Sequence, residues 1–403
     1  MDFNRGNIAD GVALDSGGKI VLLVGDGLGG LPHPDTGLTE LETARTPNLD
    51  RLAAGGACGL HIPIAHGITP GSGPAHMALF GYDPVRWEIG RGVLEALGIG
   101  FDLRCGDVAI RVNFATVDAE GKIVDRRAGR IPTEKCEELT AKLNEIKLPM
   151  VEVFVRPVRE HRAVIVLRGE GLAGGLSDTD PQETGVPPLP LKAETREQDK
   201  TVELLNAFLG AANEVLKEEP KANAITMRGI AMLEEIPSVG TRFRVKAAAI
   251  AGYPMYRGVA GLVGMDVKPP AEGADAIESA LEDAWNDHDF FFVHFKKTDS
   301  SGEDGDFDAK VAASEAFDEI AGRVAALGPD VLVITGDHST PSAMAMHSWH
   351  PVPVLLCAGT ARVDGVESFG ESECLRGSLG TFPAVSLMSM MLAHAGRLTK
   401  FGA

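Results

Sequence analysis

Positive charge is scarce in this sequence. Against 57 Asp and Glu the 403-residue chain sets only 38 Lys and Arg, a formal net charge of −19. The diffuse basic field that nucleic acid or an anionic membrane surface requires is therefore missing, and neither is expected as a partner. Long apolar runs are missing too, since no stretch approaches the ~18 residues needed to span a bilayer. The opening MDFNRGNIADG has no basic segment followed by an apolar one, so no secretory leader is expected. Cysteine is sparse: Cys58, Cys105, Cys136, Cys357 and Cys374 are odd in number and form no C-x-x-C pair. That excludes a disulfide framework and a thiolate zinc site, leaving the buried, inert thiols of a cytoplasmic protein as the expectation. Repeats and low-complexity tracts are also lacking. What remains, 44% hydrophobic and 24% charged residues over 403 positions, suits a globular chain of two or three domains.

Two stretches have α/β texture. Lys19-Ile-Val-Leu-Leu-Val24 reads as a strand buried on both faces, of the parallel-sheet kind, and ends in Gly25-Asp26-Gly27. Thr46-Pro47-Asn48 has the look of a helix start for Leu49 to Ala54. Near the end, Phe290–Phe295, Val331–Thr335 and Val352–Leu356 read as strands, with a helix from about Asp308 to Leu327 between the first two. This alternation predicts a doubly wound, mostly parallel sheet. The region between differs: Val108–Phe114 alternates like a half-exposed strand, Thr133–Lys147 is a charged helix, Ala163–Leu167 is another strand, and Gly171–Pro190 is a Gly- and Pro-rich loop. The expected organisation is a smaller α+β domain, residues 107–244, inserted into a sheet domain made of residues 1–106 and 245–403.

Four clusters of reactive side chains follow strands, where α/β sheets gather their ligands. They are Asp26; Ser72 within Thr69-Pro-Gly-Ser-Gly-Pro-Ala-His76; Lys296-Lys-Thr-Asp-Ser-Ser-Gly-Glu-Asp-Gly-Asp306; and Gly336-Asp-His-Ser-Thr340, with His347 soon after. Gly25-x-Gly27-x-x-Gly30 also satisfies the dinucleotide-binding fingerprint, but Pro32 and Pro34 oppose the helix that fingerprint needs, and Asp26 would repel a pyrophosphate. Asp26, Asp299, Asp337, His338 and His347 instead form a hard, sulfur-free donor set for Mn²⁺, Mg²⁺ or Zn²⁺. Ser72, flanked by Gly71 and Gly73 and ahead of a helix from Pro74 to about Phe80, is a candidate nucleophile beside a helix N-terminus that favours phosphate. A serine hydroxyl needs a base or a metal to activate it. Each cluster alone also fits an ordinary turn; four at strand ends favour a site.

In these motifs the chain resembles the archaeal-type cofactor-independent phosphoglycerate mutases. Gly25-Asp-Gly27, Pro70-Gly-Ser-Gly-Pro-Ala-His-Met-Ala-Leu-Phe-Gly-Tyr-Asp-Pro84, Gly90–Gly98, Lys297-Thr-Asp299, Gly336–Thr340 and His347-Ser-Trp-His-Pro-Val-Pro353 carry the resemblance, in order, over essentially the whole chain. It implies an alkaline-phosphatase-like metal-binding domain with an inserted substrate domain, and interconversion of 2-phosphoglycerate and 3-phosphoglycerate through a phosphoserine. It further implies two divalent ions, Mn²⁺ foremost, with Mg²⁺, Zn²⁺ and Co²⁺ as the other options. By the same motifs Ser72 is the nucleophile, Asp26, Ser72, Asp337 and His338 hold one ion, and Asp299, Glu303 and His347 hold the other. Glu303 stands where this family often has His; a carboxylate there shifts preference toward Mn²⁺ or Mg²⁺, and His350 is the alternative ligand.

A phosphoglycerate must overcome the global negative charge, so local arginines are expected to bind it. Asp125-Arg-Arg-Ala-Gly-Arg-Ile131 is the densest basic cluster of the inserted domain, and Arg127 and Arg130 can present two guanidinium forks to a carboxylate and a phosphate. His161, Arg162, Arg228 and Lys246 are weaker candidates. A mutase that keeps its glycerate needs a crevice closed to water, hence hinge motion near Gly106 and Val245. The competing readings are another metal-dependent phosphatase or phosphomutase on the same scaffold, and a non-catalytic or dinucleotide-binding α/β protein.

Overall fold

The computed structural model describes Ile8–Gly402, so the opening segment read above as lacking a leader lies partly outside the described residues. In chain order the strands are β1 (Ile20–Gly25), β2 (Ala57–Ile62), β3 (Val108–Val117), β4 (Ile123–Asp125), β5 (Glu152–Arg159), β6 (Arg162–Arg168) and β7 (Ala224–Met232). They continue with β8 (Ala247–Ala251), β9 (Asp266–Val267), β10 (Phe290–Phe295), β11 (Val331–Thr335), β12 (Val352–Ala358) and β13 (Gly380–Pro383). The chain divides into two compact units, Met1–Glu88 with Ile236–Ala403, and Ile89–Glu235. These crossings fall about ten to twenty residues before the expected ones at 106/107 and 244/245. The reason is local: the amphipathic helix Arg91–Gly98 packs on β3 and β7, so it belongs with the inserted unit.

The larger unit is α/β. Its eight-stranded sheet runs β13-β2-β12-β11-β1-β10-β8-β9. All six residues of β1 and of β10 are buried, as strands inside a parallel sheet are, His294 being the one polar side chain among them. β1 pairs in parallel with both β10 and β11, while β12 runs antiparallel to β11 and β2. On one face Val21, Leu23, Ile250, Phe291, Val293 and Ile334 pack against Phe317 and Ile320 of the helix Phe307–Ala326. The register decides where chemistry can occur. Val24 lies opposite His294 on one side and Thr335 on the other, so β1, β10 and β11 end level with one another. The residues that follow, Asp26, Lys296–Asp299 and Asp337–His338, leave the sheet along one edge.

The inserted unit is α+β, with an antiparallel sheet in the order β4-β3-β6-β5 and β7 paired to β3. Its own core joins Ile110, Phe114 and Ile165 to Leu139 of the helix Thr133–Leu143 and to Leu205, Phe208 and Leu216 of the helix Asp199–Leu216. Among the described residues no helix is long and apolar enough to cross a membrane. The cysteines are free, but not uniformly buried: Cys105, in the turn before Gly106, is exposed and Cys357 only half-buried, because turns and sheet margins do not shield side chains as the core does.

Candidate active site

At the end of β1 the backbone turns sharply through Gly27, whose φ of +61° and tight surroundings admit no side chain: a Cβ there would sit 2.4 Å from Thr340 Oγ1 and 2.8 Å from Asp299 Oδ1. The turn points Asp26 inward and lets the Gly27 N–H donate to Asp337 Oδ1 at 3.0 Å. Asp26, Asp337 and His338 are fully buried. Their donor atoms form one group within 4.8 Å of one another, and those of Asp299, His338 and His347 form another. Ser72, first residue of the helix Ser72–Leu79, brings its Oγ to 3.2 Å from His338 Nε2. Its own N–H and that of Gly73 stand in the first turn, where intrahelical acceptors are lacking. The helix begins two residues before Pro74, the expected start, so Ser72 is part of it.

Hydrogen bonding assigns the histidine protons. Thr340 has a single hydroxyl proton and gives it to Asp299 Oδ1 at 2.6 Å, so it accepts from His338 Nδ1 at 3.0 Å. His338 Nε2 is therefore unprotonated. It faces Asp337 Oδ2 at 3.1 Å, Ser72 Oγ at 3.2 Å and Asp26 Oδ1 at 3.5 Å. His347 donates from Nδ1 to the Pro70 carbonyl at 3.0 Å, which bares its Nε2 toward Asp299 Oδ1 at 3.5 Å and Glu303 Oε1 at 3.6 Å. Two bare imidazole nitrogens, each facing carboxylate oxygens, make two donor groups that could hold cations, their tautomers fixed by their outer partners. The site meets the requirement for divalent ions on its own chemistry. Both oxygens of Asp26 and Oδ2 of Asp337 are buried without a hydrogen bond, and buried anionic oxygens in that state call for a cation.

The protein's own charges offset part of this. Lys296 Nζ lies 3.0 Å from Asp26 Oδ2 and 2.5 Å from Asp299 Oδ2, bridging the outer oxygens of carboxylates from the two groups. Burial pushes the Lys296 ammonium down, but those two carboxylates outweigh it and hold the group above its ordinary value. Burial also acts against ionised Asp337, yet His76 and the Gly27 N–H hold it well below the usual carboxylate range. Glu303 is pushed up, first by burial and then by Asp299.

The sequence-derived candidates fall into place unevenly. Asp26, Ser72, Asp337 and His338 come together, as do Asp299 and His347. Glu303 reaches the second set from the rim, with its side chain 54% exposed. His350 stays outside both groups, stacked on Trp349 and bonded through Nδ1 to Ser348 Oγ. Gly30, last glycine of the dinucleotide-like pattern, leads into an irregular loop that runs to Thr39, the cap of the short helix Glu40–Thr43, so the helix that pattern requires is not formed. His76, His294, Tyr256 and Thr340 were not singled out by sequence. Tyr256 stacks on His294 at 3.8 Å between ring centres and its hydroxyl accepts from Lys296 at 3.2 Å. Of these, Thr340 in the Asp-His-Ser-Thr run and His76 at the end of the Ser72 run offered a signal by position.

In the inserted unit a cavity of about 250 Å³ is lined by Arg111, Asn113, Arg126, Arg127, Arg130, Glu160, His161, Arg162 and Arg228. Sheet register builds it: Arg111 lies opposite Arg228 and Asn113 opposite Arg162 on neighbouring strands. Asp125 shapes the Arg127–Arg130 turn by accepting from the N–H groups of Arg127 and Gly129, and Arg130 adopts a φ of +50°. Arg126, also in the lining, is tied to Asp180 by a bidentate pair, both contacts 2.9 Å. Burial, then the charges of Arg162, Arg127 and Arg130, push His161 down to about 4 against the pull of Glu160, so it is neutral at pH 7. Burial likewise lowers Arg111, opposed by Glu95 and reinforced by Arg162 and Arg228. The buried Nε atoms of Arg111 and Arg162 and Nδ1 of His161 lack hydrogen-bond acceptors, as expected of an anion pocket. Arg127, Arg130, His161, Arg162 and Arg228 were expected together; Arg111 was missed because a lone Arg in an alternating strand carries no cluster signal. Lys246 needs correction. It is exposed and precedes β8, at the end of the parallel strands opposite the one that carries Asp26, so it lies away from the metal-ligand edge.

Comparison with known proteins accords with this geometry. Residues 53–222 match the family model for 2,3-bisphosphoglycerate-independent phosphoglycerate mutase. A probable enzyme of that description from Thermus thermophilus is 52% identical over 390 residues, 96% of each chain. One from Aquifex aeolicus is 51% identical over 400 residues, covering 96% of this chain and 98% of its own. The chain belongs to the 2,3-bisphosphoglycerate-independent phosphoglycerate mutase family. It is an isomerase, an intramolecular phosphotransferase. The solved structure of the cofactor-independent phosphoglycerate mutase from Thermoplasma acidophilum superposes with a TM-score of 0.74 at 32% identity, covering 94% of this chain and 100% of that one. The α/β sheet and the inserted unit are thus features of a family fold.

Proposed function

We propose that this enzyme interconverts 2-phosphoglycerate and 3-phosphoglycerate by passing the phosphoryl group through Ser72. The observation that carries the reading is Ser72 Oγ at 3.2 Å from the bare Nε2 of His338, beside Asp26 Oδ1 and Asp337 Oδ2, both buried without a hydrogen bond. Asp26, Ser72, Asp337 and His338 would hold one divalent ion and Asp299, Glu303 and His347 the other, Mn²⁺ being the best match to these oxygen-rich sets. When bound, such ions polarise the serine hydroxyl and offset the negative charge of the transferring phosphoryl. The Ser72 Oγ–P bond forms as the glycerate O–P bond opens, and the phosphoryl then returns to the neighbouring hydroxyl. The helix of which Ser72 is the first residue aims its free N–H groups at phosphate oxygens. The arginine cavity fits the carboxylate and phosphate of a small dianionic acid, with His161 as a neutral donor or acceptor. The enzyme is expected to act in glycolysis and gluconeogenesis, in the cytoplasm.

Incubating the protein with 3-phosphoglycerate and following 2-phosphoglycerate against inorganic phosphate tests the reading. Mn²⁺-dependent formation of 2-phosphoglycerate is expected, and release of phosphate alone would replace the mutase by a phosphatase. Two finer tests probe the assignments. Arg162→Ala should raise KM about 10–100-fold, the worth of a charged hydrogen bond or a bidentate pair, without changing Mn²⁺ affinity in calorimetry. A KM within twofold of wild type removes Arg162 from the binding set. Glu303→Ala should bring Mn²⁺ content from two equivalents toward one after gel filtration, whereas retention of two equivalents would show that Asp299 and His347 suffice.

A further inference from the structure

Lys310 is a lysine with no solvent exposure, on the helix Phe307–Ala326, and none of the chemistry above uses it. Its Nζ donates to three backbone carbonyls: Thr340 at 2.7 Å, Gly29 at 2.8 Å and Gly27 at 3.0 Å. An ammonium has three N–H donors, and all three are spent on main chain. The acceptors are not arbitrary. Gly27 and Gly29 belong to the loop that leaves β1 behind Asp26, and Thr340 to the loop that leaves β11 behind Asp337 and His338. Each loop grips the ligands through a second bond. The Gly27 N–H holds Asp337 Oδ1, while the Thr340 hydroxyl holds Asp299 Oδ1 and sets the His338 tautomer. One buried side chain thus joins the two segments on which every ligand of the first ion set except Ser72 is mounted.

Resting on the reading of this cluster as the metal-assisted site, we propose that Lys310 is a positioning residue: its three donated bonds clamp the two ligand loops in register before any divalent ion arrives. A lysine so deep is costly to desolvate, and a merely structural contact between loops could be made by backbone bonds alone. Those bonds exist already, since the Thr340 N–H reaches the Gly27 and Gly29 carbonyls at 3.3 and 3.0 Å. The additional donors are placed where carbonyl oxygens from both loops converge, and outer partners of this kind tune ligand geometry.

The test compares Lys310→Met, which keeps the length of the side chain and removes its donors, with Ile320→Ala, a core change on the same helix. Mn²⁺ binding to the full-length, metal-stripped proteins is measured by calorimetry and by the electron paramagnetic resonance of bound Mn²⁺, with thermal melts alongside. The expected result is a folded Lys310→Met protein whose Mn²⁺ affinity is about 10–100-fold weaker with an altered spectrum, while Ile320→Ala melts lower but binds Mn²⁺ as wild type does. Equal affinity in Lys310→Met and wild type would overturn the proposal. So would equal weakening in both variants, which would make the effect one of general stability. If Lys310→Met does not fold, Lys310→Gln is read in the same way, and failure of both to fold would make Lys310 a folding residue and overturn the clamp. A wild-type protein that binds Mn²⁺ but forms no 2-phosphoglycerate would sink the mutase reading and leave the clamp standing.

Discussion

Ser72→Ala is expected to lower kcat by about 10⁴-fold or more, because Ser72 Oγ is the hydroxyl set beside the bare His338 Nε2, whereas that of Thr340 is spent on Asp299, and removal of a covalent nucleophile is rarely rescued. The substitution is structurally mild. Ser72 is the first helical residue, Gly71 is the cap, and no side-chain capping bond is lost. Alanine is also the best helix former, so the thermal midpoint should scarcely move. The change removes one donor from a set that keeps Asp26, Asp337 and His338, and leaves Asp299 and His347 untouched. Calorimetry should therefore still report Mn²⁺ binding. After incubation with 3-phosphoglycerate, mass spectrometry should find a phosphoryl group on the wild-type peptide that spans Ser72 and none on the alanine variant. Activity within tenfold of wild type would mean that the phosphoryl passes elsewhere, and the serine would then be no more than a ligand.

The edge on which this experiment acts was legible in the sequence because parallel strands announce themselves. β1, β10 and β11 are mostly apolar runs; β1 and β11 lead directly into glycine and aspartate, and β10 reaches Asp299 within four residues. Chemistry placed just beyond such runs needs no knowledge of topology to be noticed. Their alignment is a different matter. That Val24 faces both His294 and Thr335 follows from pairing between segments more than 250 residues apart, which no local pattern encodes. The inserted unit was legible as a change of texture, but its start was misplaced. The helix Arg91–Gly98 has apolar positions at helical spacing and nothing in it says which sheet they cover. The arginine turn was visible as a run, whereas Arg111 and Arg228 become neighbours only through antiparallel register. Lys310 was the least legible. In the sequence it is one lysine at the start of a long helix, where solvent exposure is the ordinary expectation. Only the folded loops reveal three carbonyls waiting for it.

Asp337→Asn should cost nearly as much as loss of the serine, and for a reason beyond charge. Asp337 Oδ1 accepts the Gly27 N–H at 3.0 Å, and Oδ2 lies 3.3 Å from His76 Nδ1, the nitrogen that donates to the Ser72 carbonyl at 2.8 Å. Only Oδ1 accepts a hydrogen bond; Oδ2 faces the bare Nε2 of His338 at 3.1 Å. An asparagine that keeps its carbonyl on the Gly27 N–H turns its NH₂ into the cation position, and the reverse orientation sets NH₂ against the Gly27 N–H in a fully buried position, at about 1–3 kcal/mol for the unpaired groups. The substituted side chain also removes one anionic ligand from a set in which Asp26 alone then balances a divalent charge. Charge stabilisation of phosphoryl transfer by such an ion amounts to several kcal/mol, and each 1.36 kcal/mol is tenfold in rate, so kcat/KM should fall by about 10³-fold or more. Calorimetry should lose one of two Mn²⁺ equivalents, with the equivalent assigned to Asp299 and His347 retained. An Asp337→Asn protein that binds two Mn²⁺ ions and turns over within tenfold of wild type would contradict the placement of the first ion between Asp26, Asp337 and His338. The phosphoryl chemistry would then have to be sought around Asp299 and Lys296.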